Sequence, residues 1–318
     1  MYVSVVVPIY NERENLEALV VELVEALDEL GKPYEIIAVD DGSRDGSTKL
    51  LRELVGKHAA LKAVFLRRNA GQTAAFDAGF RQATGEIVVT IDGDRQNDPR
   101  DIKPMIEKLE AEELDMVSGW RKARQDGMFL RKIPSRIANR IIRGVTGTPV
   151  HDLGCSLRVY KKSLVDELNL YGEMHRFIAV IADGVGARIG EVVVNHRPRT
   201  AGVSKYGTRR ILKVLLDLTT VWFMRRYQSK PIYVFGGAGI VMFFLAAASS
   251  GVVLYEKYAD GAWVHRNPLF LISILCILVG IQFLGIGILA EIIVRIYFEQ
   301  QGRRPYAIAS RAGFGEVK

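Results

Sequence analysis

The triplet Asp92-Gly93-Asp94 follows an apolar run at residues 86–91. Such a run is typical of a buried strand, which places both carboxylates at its carboxyl end, where parallel α/β sheets bind their ligands. Two acids one residue apart, with Gln96 close behind, suit a hard cation such as Mg²⁺ or Mn²⁺ that carries substrate phosphates. An acidic pair by itself is a weak signal, because such pairs are common in loops. Its position after a predicted strand favours a metal site over a structural turn.

Polar side chains also follow the first two predicted strands, at residues 3–7 and 35–39. Neighbouring parallel strands end at one edge of a sheet, and a carboxylate there can accept hydrogen bonds from a base or a ribose hydroxyl. The segments Pro8-Ile9-Tyr10-Asn11-Glu12 and Val39-Asp40-Asp41-Gly42-Ser43 are therefore predicted to lie at this edge, where a nucleotide would bind. The alternative is that Asp40, Asp41 and Ser43 shape a turn and cap the next helix. These residues alone leave both interpretations open.

Strands and helices are predicted to alternate over residues 1–120. Apolar residues recur at helical spacing in a predicted helix at 12–30, namely at Leu16, Leu19, Leu23 and Leu27. Further helices are predicted near 47–57, 72–82 and 101–112, and further strands at 62–66 and 115–118. Asp98 and Pro99 are typical of a helix start, with Asp as the cap and Pro in the first position. The pattern predicts an α/β fold with a mostly parallel, doubly wound sheet.

Two segments near the end of the chain, residues 232–255 and 268–290, contain no charged residue. Each reaches the roughly 20 residues that cross a bilayer core, so we predict two transmembrane helices rather than two buried core helices. The only lysine or arginine residues between them are Lys257 and Arg266. The outer flanks carry more, namely Arg225, Arg226, Lys230, Arg295, Arg303 and Arg304. The positive-inside rule then places both termini in the cytoplasm. No signal peptide is expected, since Met1 leads directly into the first predicted strand.

The chain of 318 residues has a formal net charge of +7. Lysine and arginine residues are concentrated in two stretches, residues 121–143 and 197–213. Both approach the membrane segments in sequence, so an anionic lipid or a lipid phosphate is a better candidate partner than nucleic acid. Residues 129–145 and 208–227 separate basic from apolar side chains, which predicts amphipathic helices at the membrane surface. Packing of the first of these helices on its own domain is the alternative.

The predicted organisation has three parts. A soluble domain covers residues 1–206, a juxtamembrane helix covers 207–230, and residues 231–318 hold both spans and a poorly ordered tail after Gln300. Cys155 and Cys276 imply neither a disulfide framework nor a zinc site. The run Gly236-Gly237-Ala238-Gly239 in the first span would permit close helix contacts, and with them a homo-oligomer.

Several motifs together resemble the inverting family 2 glycosyltransferases with the GT-A fold. The motifs at the sheet edge are Pro8-Ile9-Tyr10-Asn11-Glu12, Val39-Asp40-Asp41-Gly42-Ser43 and Asp92-Gly93-Asp94-Arg95-Gln96. Four others are similar to the polyprenyl-phosphate branch, which includes undecaprenyl-phosphate glucosyltransferases and dolichyl-phosphate mannose synthases. These are Gly119-Trp120-Arg121, the segments at 131–136 and 199–206, and Asp152-Leu153-Gly154-Cys155-Ser156, the last of which differs from the Ser-Gly-Phe-like residues of many members.

The resemblance implies a role for each matching residue. Pro8, Tyr10, Glu12, Asp40 and Asp41 would bind the nucleoside, and Asp92, Asp94 and Gln96 would hold the metal and the donor diphosphate. Asp152 would line the sugar pocket, so the catalytic candidates are Asp92, Asp94 and Asp152. The acceptor phosphate would be bound by Arg121, Arg131, Ser135, Arg199 and Lys205. The implied reaction is inverting hexose transfer, with UDP-glucose and undecaprenyl phosphate preferred and GDP-mannose with a dolichol-type carrier as the alternative.

The basic residues also fit the chemistry of a phosphate nucleophile. A lipid monophosphate is largely dianionic at neutral pH, because its second pKa is near 6. It therefore needs arginines that position it in line with the anomeric carbon, and no general base. His151 and His196 lie among these motifs, and we expect them to form hydrogen bonds within loops rather than to remove a proton. The metal would balance charge on the departing diphosphate.

Three other functions are weighed against this one. A processive polysaccharide synthase should show more spans and a Q-x-x-R-W motif, and the sequence has neither. A nucleotidyltransferase should have a glycine-rich loop where Ile9-Tyr10-Asn11 stands. A non-catalytic membrane scaffold has no use for the acidic pair together with the arginines.

Overall fold

The computed structural model describes residues 1–122, 150–168, 170, 174–198, 231–259, 261 and 263–300. The predicted acceptor-site residues Arg131, Ser135, Arg199 and Lys205 lie outside this part of the chain. The predicted amphipathic helices at 129–145 and 208–227, and the tail after Gln300, also lie outside it. The chain divides into two compact units, Met1–Trp222 and Phe223–Lys318.

The strands of the first unit are β1 (Val3–Ile9), β2 (Tyr34–Asp40), β3 (Leu61–Phe65), β4 (Ile87–Thr90), β5 (Met116–Trp120), β6 (Arg158–Lys161) and β7 (Ile189–Val193). Within the described residues they form one sheet in the order β3-β2-β1-β4-β6-β5-β7. All pairings are parallel except those of β6, which runs antiparallel to both β4 and β5. The mostly parallel α/β sheet is confirmed, and the reversed β6 is a feature that the alternating pattern did not predict.

Its helices are α1 (Arg13–Asp28), α2 (Ser47–Lys57), α3 (Gln72–Gln82), α4 (Ile102–Ala111), α5 (Lys162–Glu167) and α6 (Ile178–Gly184). The bounds of α2 and α3 match the sequence prediction. A 3₁₀ turn at Pro99–Asp101 precedes α4, and the carboxylate of Asp98 accepts the amide of Arg100 at 3.1 Å. This is the predicted cap, because Pro99 occupies the first position and cannot donate a hydrogen bond itself.

The core lies between the sheet and its helices. The four leucines at helical spacing in α1 are all buried, and so are the valine, isoleucine and alanine residues of β1, β2 and β4. Helix α3 approaches β1 especially closely at Gly79, where a Cβ atom would lie 2.2 Å from Cγ1 of Val6. The absence of a side chain at Gly79 therefore sets the distance between α3 and the sheet.

The second unit contains α7 (Ile232–Ala259) and α8 (Pro268–Gln300), joined by a segment with a 3₁₀ turn at Val264–Arg266. Both helices are long and apolar enough to cross a membrane, over Ile232–Ala259 and Pro268–Val294. They pack through glycines, since a Cβ atom on Gly239 would lie 3.0 Å from the carbonyl oxygen of Gly280. Gly239, which the sequence marked as a possible oligomer contact, is therefore used within the chain.

Candidate active site

The three sheet-edge motifs meet where the sequence predicted. β1 pairs in parallel with β2 on one side and with β4 on the other, with Ile9 opposite Asp40 and Val6 opposite Thr90. The segments that follow these three strands therefore leave the same edge of the sheet side by side. This is the edge at which α/β folds bind ligands.

The loops after β1 and β2 are joined by reciprocal hydrogen bonds. The amide of Asn11 donates to Oγ of Ser43 at 2.9 Å, and the amide of Arg44 donates to Oδ1 of Asn11 at 2.8 Å. Asn11 has a φ of 53°, a conformation that Asn tolerates better than most residues. Beside this link lies a cavity of about 500 Å³, lined by Asn11, Glu12, Arg13, Glu14, Asn15, Arg44 and Asp45. Its polar lining can offer hydrogen bonds to a base or a ribose.

Asp40 and Asp41 make the structural contacts that the sequence had left as an alternative. Asp40 accepts the amide of Ser43 at 3.1 Å and the hydroxyl of Thr48 at 2.5 Å, which fixes the turn before α2. Asp41 accepts the amides of Ala70 and Gly71, at 2.7 and 2.9 Å, and so holds the loop before α3. Both carboxylates shape the edge, and their contact with a nucleoside stays a prediction.

The acidic pair lies directly after β4. The side-chain amide of Gln72, the first residue of α3, donates to Asp92 at 2.7 Å. The hydroxyl of Ser156 also donates to Asp92, and its oxygen in turn accepts from the side-chain amide Nδ2 of Asn97 at 2.9 Å. Burial, and next the charge of Asp94, raise the pKa of Asp92 above its usual range. A cation bound beside Asp92 would stabilise the charged form of this carboxylate.

The donor set fits a divalent metal that is completed by its substrate. Asp92 and Asp94 offer carboxylate oxygens, and Gln96, whose amide donates to Asp94 at 3.2 Å, offers a side-chain carbonyl. Among the described residues, no cluster of three or more His, Cys, Asp and Glu side chains could hold a metal by protein ligands alone. Mg²⁺ typically binds one or two carboxylates together with substrate phosphates, so this arrangement suits it.

Arg121 and Asp152 form a buried, two-pronged ion pair. Nε and Nη2 of Arg121 donate to the two carboxylate oxygens at 2.7 and 3.1 Å, with side-chain exposures of 11% and 7%. Although burial opposes the charge, the bond to Asp152 raises the pKa of Arg121. Its charge also acts on Asp92, which it helps to keep ionised. Asp152 engages Nε and one N–H of Nη2, so the donors left for an acceptor phosphate at this predicted contact are those of Nη1 and the second N–H of Nη2.

The reversed strand β6 explains why Asp152 and Ser156 reach this site. In an antiparallel pair, one strand begins beside the end of the other. Arg158 at the start of β6 accordingly lies opposite Thr90 at the end of β4. The loop at 152–157 therefore arrives beside Asp92. Sequence reasoning missed Gln72, Asn97 and Ser156 as site residues. The only signal was that Gln72 opens a helix at the same edge.

Two histidines, His151 and His196, lie near the site. Nδ1 of His151 lies 2.6 Å from Oε2 of Glu191, and its ring stacks on Trp120 with centroids 4.6 Å apart. The backbone of His196 pairs with that of Asn97 in a short antiparallel bridge. The role that the sequence favoured for both histidines, hydrogen bonding rather than proton removal, stays a prediction.

An acidic pair at this edge of a mostly parallel sheet is typical of GT-A transferases, and comparison with known proteins gives the family. Residues 4–168 match the family model described as glycosyl transferase family 2. This chain belongs to that family, as its motifs indicated. The GT-A fold is also confirmed.

The relatives match along almost the whole chain. Dodecaprenyl-phosphate galacturonate synthase of Rhizobium johnstonii is 42% identical over 308 residues, which cover 96% of this chain and 91% of that protein. Undecaprenyl-phosphate 4-deoxy-4-formamido-L-arabinose transferase of Aeromonas hydrophila is 36% identical over 308 residues, covering 96% and 92%.

A solved structure shows the same fold. Glucosyl-3-phosphoglycerate synthase from Mycobacterium tuberculosis, in complex with Mn²⁺, UDP and phosphoglyceric acid, superimposes with a TM-score of 0.52 at 19% identity. The match covers 70% of this chain and 78% of that one. At this identity the likeness concerns the fold alone.

Proposed function

We propose that this protein transfers one sugar from a nucleotide sugar to a polyprenyl phosphate, with inversion at the anomeric carbon. The observation that carries the proposal is the edge itself, which holds the polar cavity beside the loops after β1 and β2, the acidic pair after β4 and the buried Arg121 whose charge acts on Asp92. Both relatives named above carry a polyprenyl-phosphate sugar transfer in their names, and they match over 96% of the chain. These two facts support the same reaction.

The donor would lie along the edge from β2 to β4. The loops after β1 and β2 would bind the nucleoside, with Pro8, Tyr10, Glu12, Asp40 and Asp41 as the proposed contacts. Asp92, Asp94 and Gln96 would hold Mg²⁺ or Mn²⁺ against the diphosphate. When bound, the cation would offset the charge that builds up on the leaving nucleoside diphosphate. Gln72 and Ser156 donate hydrogen bonds to Asp92, and these bonds fix the orientation of its carboxylate.

The acceptor would need placement rather than activation. A polyprenyl phosphate is largely dianionic at neutral pH, and arginine recognises phosphate through paired donors. Arg131, Ser135, Arg199 and Lys205 are proposed for this role from the sequence. Arg121 would contribute one nitrogen while its ion pair with Asp152 holds it in place. Asp152 is proposed to line the sugar pocket.

The membrane location follows from the second unit. We propose that α7 and α8 cross the membrane, with the first unit and both termini on the cytoplasmic side. Their apolar lengths support the spans, and the cationic flanks support the direction. A lipid-linked acceptor would then be available at the membrane surface.

The donor sugar is a separate question. UDP-glucose is the donor that the sequence favoured, and GDP-mannose was the alternative. The relative with 42% identity is named for galacturonate, so UDP-galacturonate becomes an equally direct candidate. All three should be offered to the same preparation.

The test uses the full chain, purified in detergent and supplied with undecaprenyl phosphate, Mn²⁺ or Mg²⁺ and each donor in radiolabelled form. We expect label from one donor to enter the organic phase as a single-sugar lipid, and chelator to stop the reaction. Asp94→Asn should abolish transfer, and Asp77→Asn, on the exposed side of α3, should not. Label from none of the donors entering the organic phase would contradict the proposal, and label in a long polymer would indicate a processive synthase.

A further inference from the structure

A chain of four alternating charges connects α1, the loop after β4 and the segment after β7. Glu22, on α1, accepts hydrogen bonds from Nη2 of Arg95 and, at 2.7 Å, from Nη1 of Arg197. Nη2 of Arg197 reaches a second carboxylate, that of Asp98, at 2.7 Å. We name these four residues, Arg95, Glu22, Arg197 and Asp98, the clasp. Its two acids and two bases balance each other.

One end of the clasp holds the loop of the acidic pair. Arg95 stands between Asp94 and Gln96 and has a φ of 59°, in the left-handed region that long side chains rarely adopt. Such a conformation persists where the surroundings hold it. The ion pair with Glu22 holds the guanidinium of Arg95 at α1, while Asp94 accepts the backbone amide of Gln96 at 3.2 Å.

The other end holds the segment that leads to a proposed acceptor contact. The amide of Arg197 donates to the carbonyl of Gln96 at 2.8 Å, and the neighbouring pair Asn97 and His196 forms a backbone bridge. Arg197 stands two residues before Arg199 in the sequence. The same carboxylate of Glu22 therefore binds both the metal loop and the segment that continues to Arg199.

We propose that Glu22 is a positioning residue for sugar transfer. It fixes the position of the loop that contains Arg95 relative to the segment that contains Arg197, and it keeps the guanidinium of Arg95 away from the acidic pair. This inference rests on the proposed function. The side chains of Glu22, Arg95 and Arg197 are 24%, 27% and 35% exposed, and ion pairs of that exposure stabilise a fold only slightly. In-line displacement is far more sensitive, because a small misplacement of the reactants slows it steeply.

Loss of the Glu22 charge has a definite consequence. Arg95 would lose its counter-charge one residue from Asp94, and its guanidinium would compete with the metal for the acidic pair. Glu22→Gln should therefore raise the Mn²⁺ concentration that supports nucleotide binding. The double variant Glu22→Gln/Arg95→Gln also removes the competing guanidinium, so its Mn²⁺ requirement should return to that of wild type. A residue with a merely structural role would give no such rescue.

The experiment compares full-length wild type, Glu22→Gln, the double variant and the control Glu112→Gln, which breaks the exposed pair with Lys108 on α4. Mn²⁺-dependent binding of UDP and of GDP is titrated, and hydrogen exchange of the Arg197 amide is followed. We expect Glu22→Gln to need about tenfold more Mn²⁺ and to exchange that amide about tenfold faster, with thermal stability close to wild type. Sugar transfer should show a lower kcat and a higher KM for the lipid phosphate.

Two results would overturn the inference. The first is a Glu22→Gln variant that matches Glu112→Gln in Mn²⁺ requirement and in Arg197 exchange. The second is a defect that the added Arg95→Gln leaves unchanged. If Glu22→Gln fails to fold, Arg197→Lys takes its place. This change keeps the positive charge but removes the guanidinium that binds Glu22 and Asp98 together, and we again expect faster hydrogen exchange of the amide of residue 197. A wild type that binds nucleotide with Mn²⁺ but transfers no sugar would disprove the proposed function, while the binding and exchange results still decide the role of Glu22.

Discussion

At the scale of single residues, the site contains charged side chains that are largely buried. Burial, and next the charge of Asp94, disfavour the ionisation of Asp92, and Arg121 is balanced by Asp152 rather than by water. Such arrangements cost folding free energy and are kept where a ligand completes them. The two kinds of charge pair make opposite predictions for stability.

Removing the charge of Asp92 should stabilise the metal-free protein. Asp92→Asn ends the repulsion with Asp94 and the burial of a charge, so we expect Tm in chelator to rise by roughly 2–5 °C while transfer is lost. Thermal unfolding with and without Mn²⁺ measures both effects. A variant that melts below wild type in chelator would show that Asp92 is satisfied without a cation.

Removing Asp152 should have the opposite effect. Asp152→Ala leaves the guanidinium of Arg121 buried without its partner, which typically costs about 3 kcal/mol or more. The double change Arg121→Met/Asp152→Ala should recover part of that loss, because no charge is then left unpaired. Urea unfolding of the three proteins gives the comparison. Asp77→Ala, which breaks an exposed pair, should change little.

At the scale of elements, the strands and helices bring separated motifs to one edge. The parallel strands β1, β2 and β4 deliver the nucleotide and metal motifs, and the antiparallel β6 delivers the loop with Asp152 and Ser156. Close packing between α3 and β1 places Gln72 against Asp92. The opposite edge of the sheet is fastened by Glu35, which is fully buried and bonded to Ser4, Lys62 and Thr84.

A methyl group at Gly79 should separate α3 from the sheet. Its Cβ would lie 2.2 Å from Val6, and overpacking of this kind typically costs about 1–3 kcal/mol. Gly79→Ala should therefore lower Tm. Gly56→Ala is the matched control, because that glycine lies in α2 with no atom within 4 Å of the added group, and it should be neutral or slightly stabilising. Equal Tm values for the two variants would contradict the packing argument.

Glu35 predicts a pH dependence of stability. Burial alone would raise its pKa, but hydrogen bonds from Lys62, Ser4 and Thr84 outweigh burial and lower the pKa to about 2. A lowered pKa gives stability that is complete above the unfolded value of 4.5 and is lost as the pH falls toward 2. Glu35→Gln should thus be less stable than wild type at pH 7, with the gap closing below about pH 4. Exposed Glu53→Gln should show no such trend in the same unfolding series.

At the scale of the whole molecule, a catalytic unit precedes a pair of apolar helices in one chain. The helices pack through Gly239 and Gly280, and their outward surfaces are rich in large apolar side chains. This combination suits a reaction between a soluble nucleotide sugar and a lipid-borne phosphate. The proposed direction of the spans can be measured independently of the chemistry.

Cysteine labelling tests that direction. In a chain with Cys155 and Cys276 changed to serine, we expect Trp263→Cys, between the two spans, to react with a membrane-impermeant maleimide in intact cells. Glu53→Cys, on α2 of the first unit, should react only after permeabilisation, because its unit is proposed to be cytoplasmic. The reverse pattern would place the catalytic unit outside.

The sequence by itself determined the class of fold, the bounds of α2 and α3, the meeting of the three edge motifs, the two apolar helices and the family. These follow from local rules, since hydrophobic period, turn residues and span length depend on neighbours in the chain. Only the tertiary structure decided that β6 runs antiparallel, that Arg121 is paired with Asp152, that Gln72 and Ser156 orient Asp92, and that Glu22 joins Arg95 to Arg197. Each of those depends on contacts between residues far apart in sequence, and a one-dimensional pattern carries no record of which distant charges become neighbours.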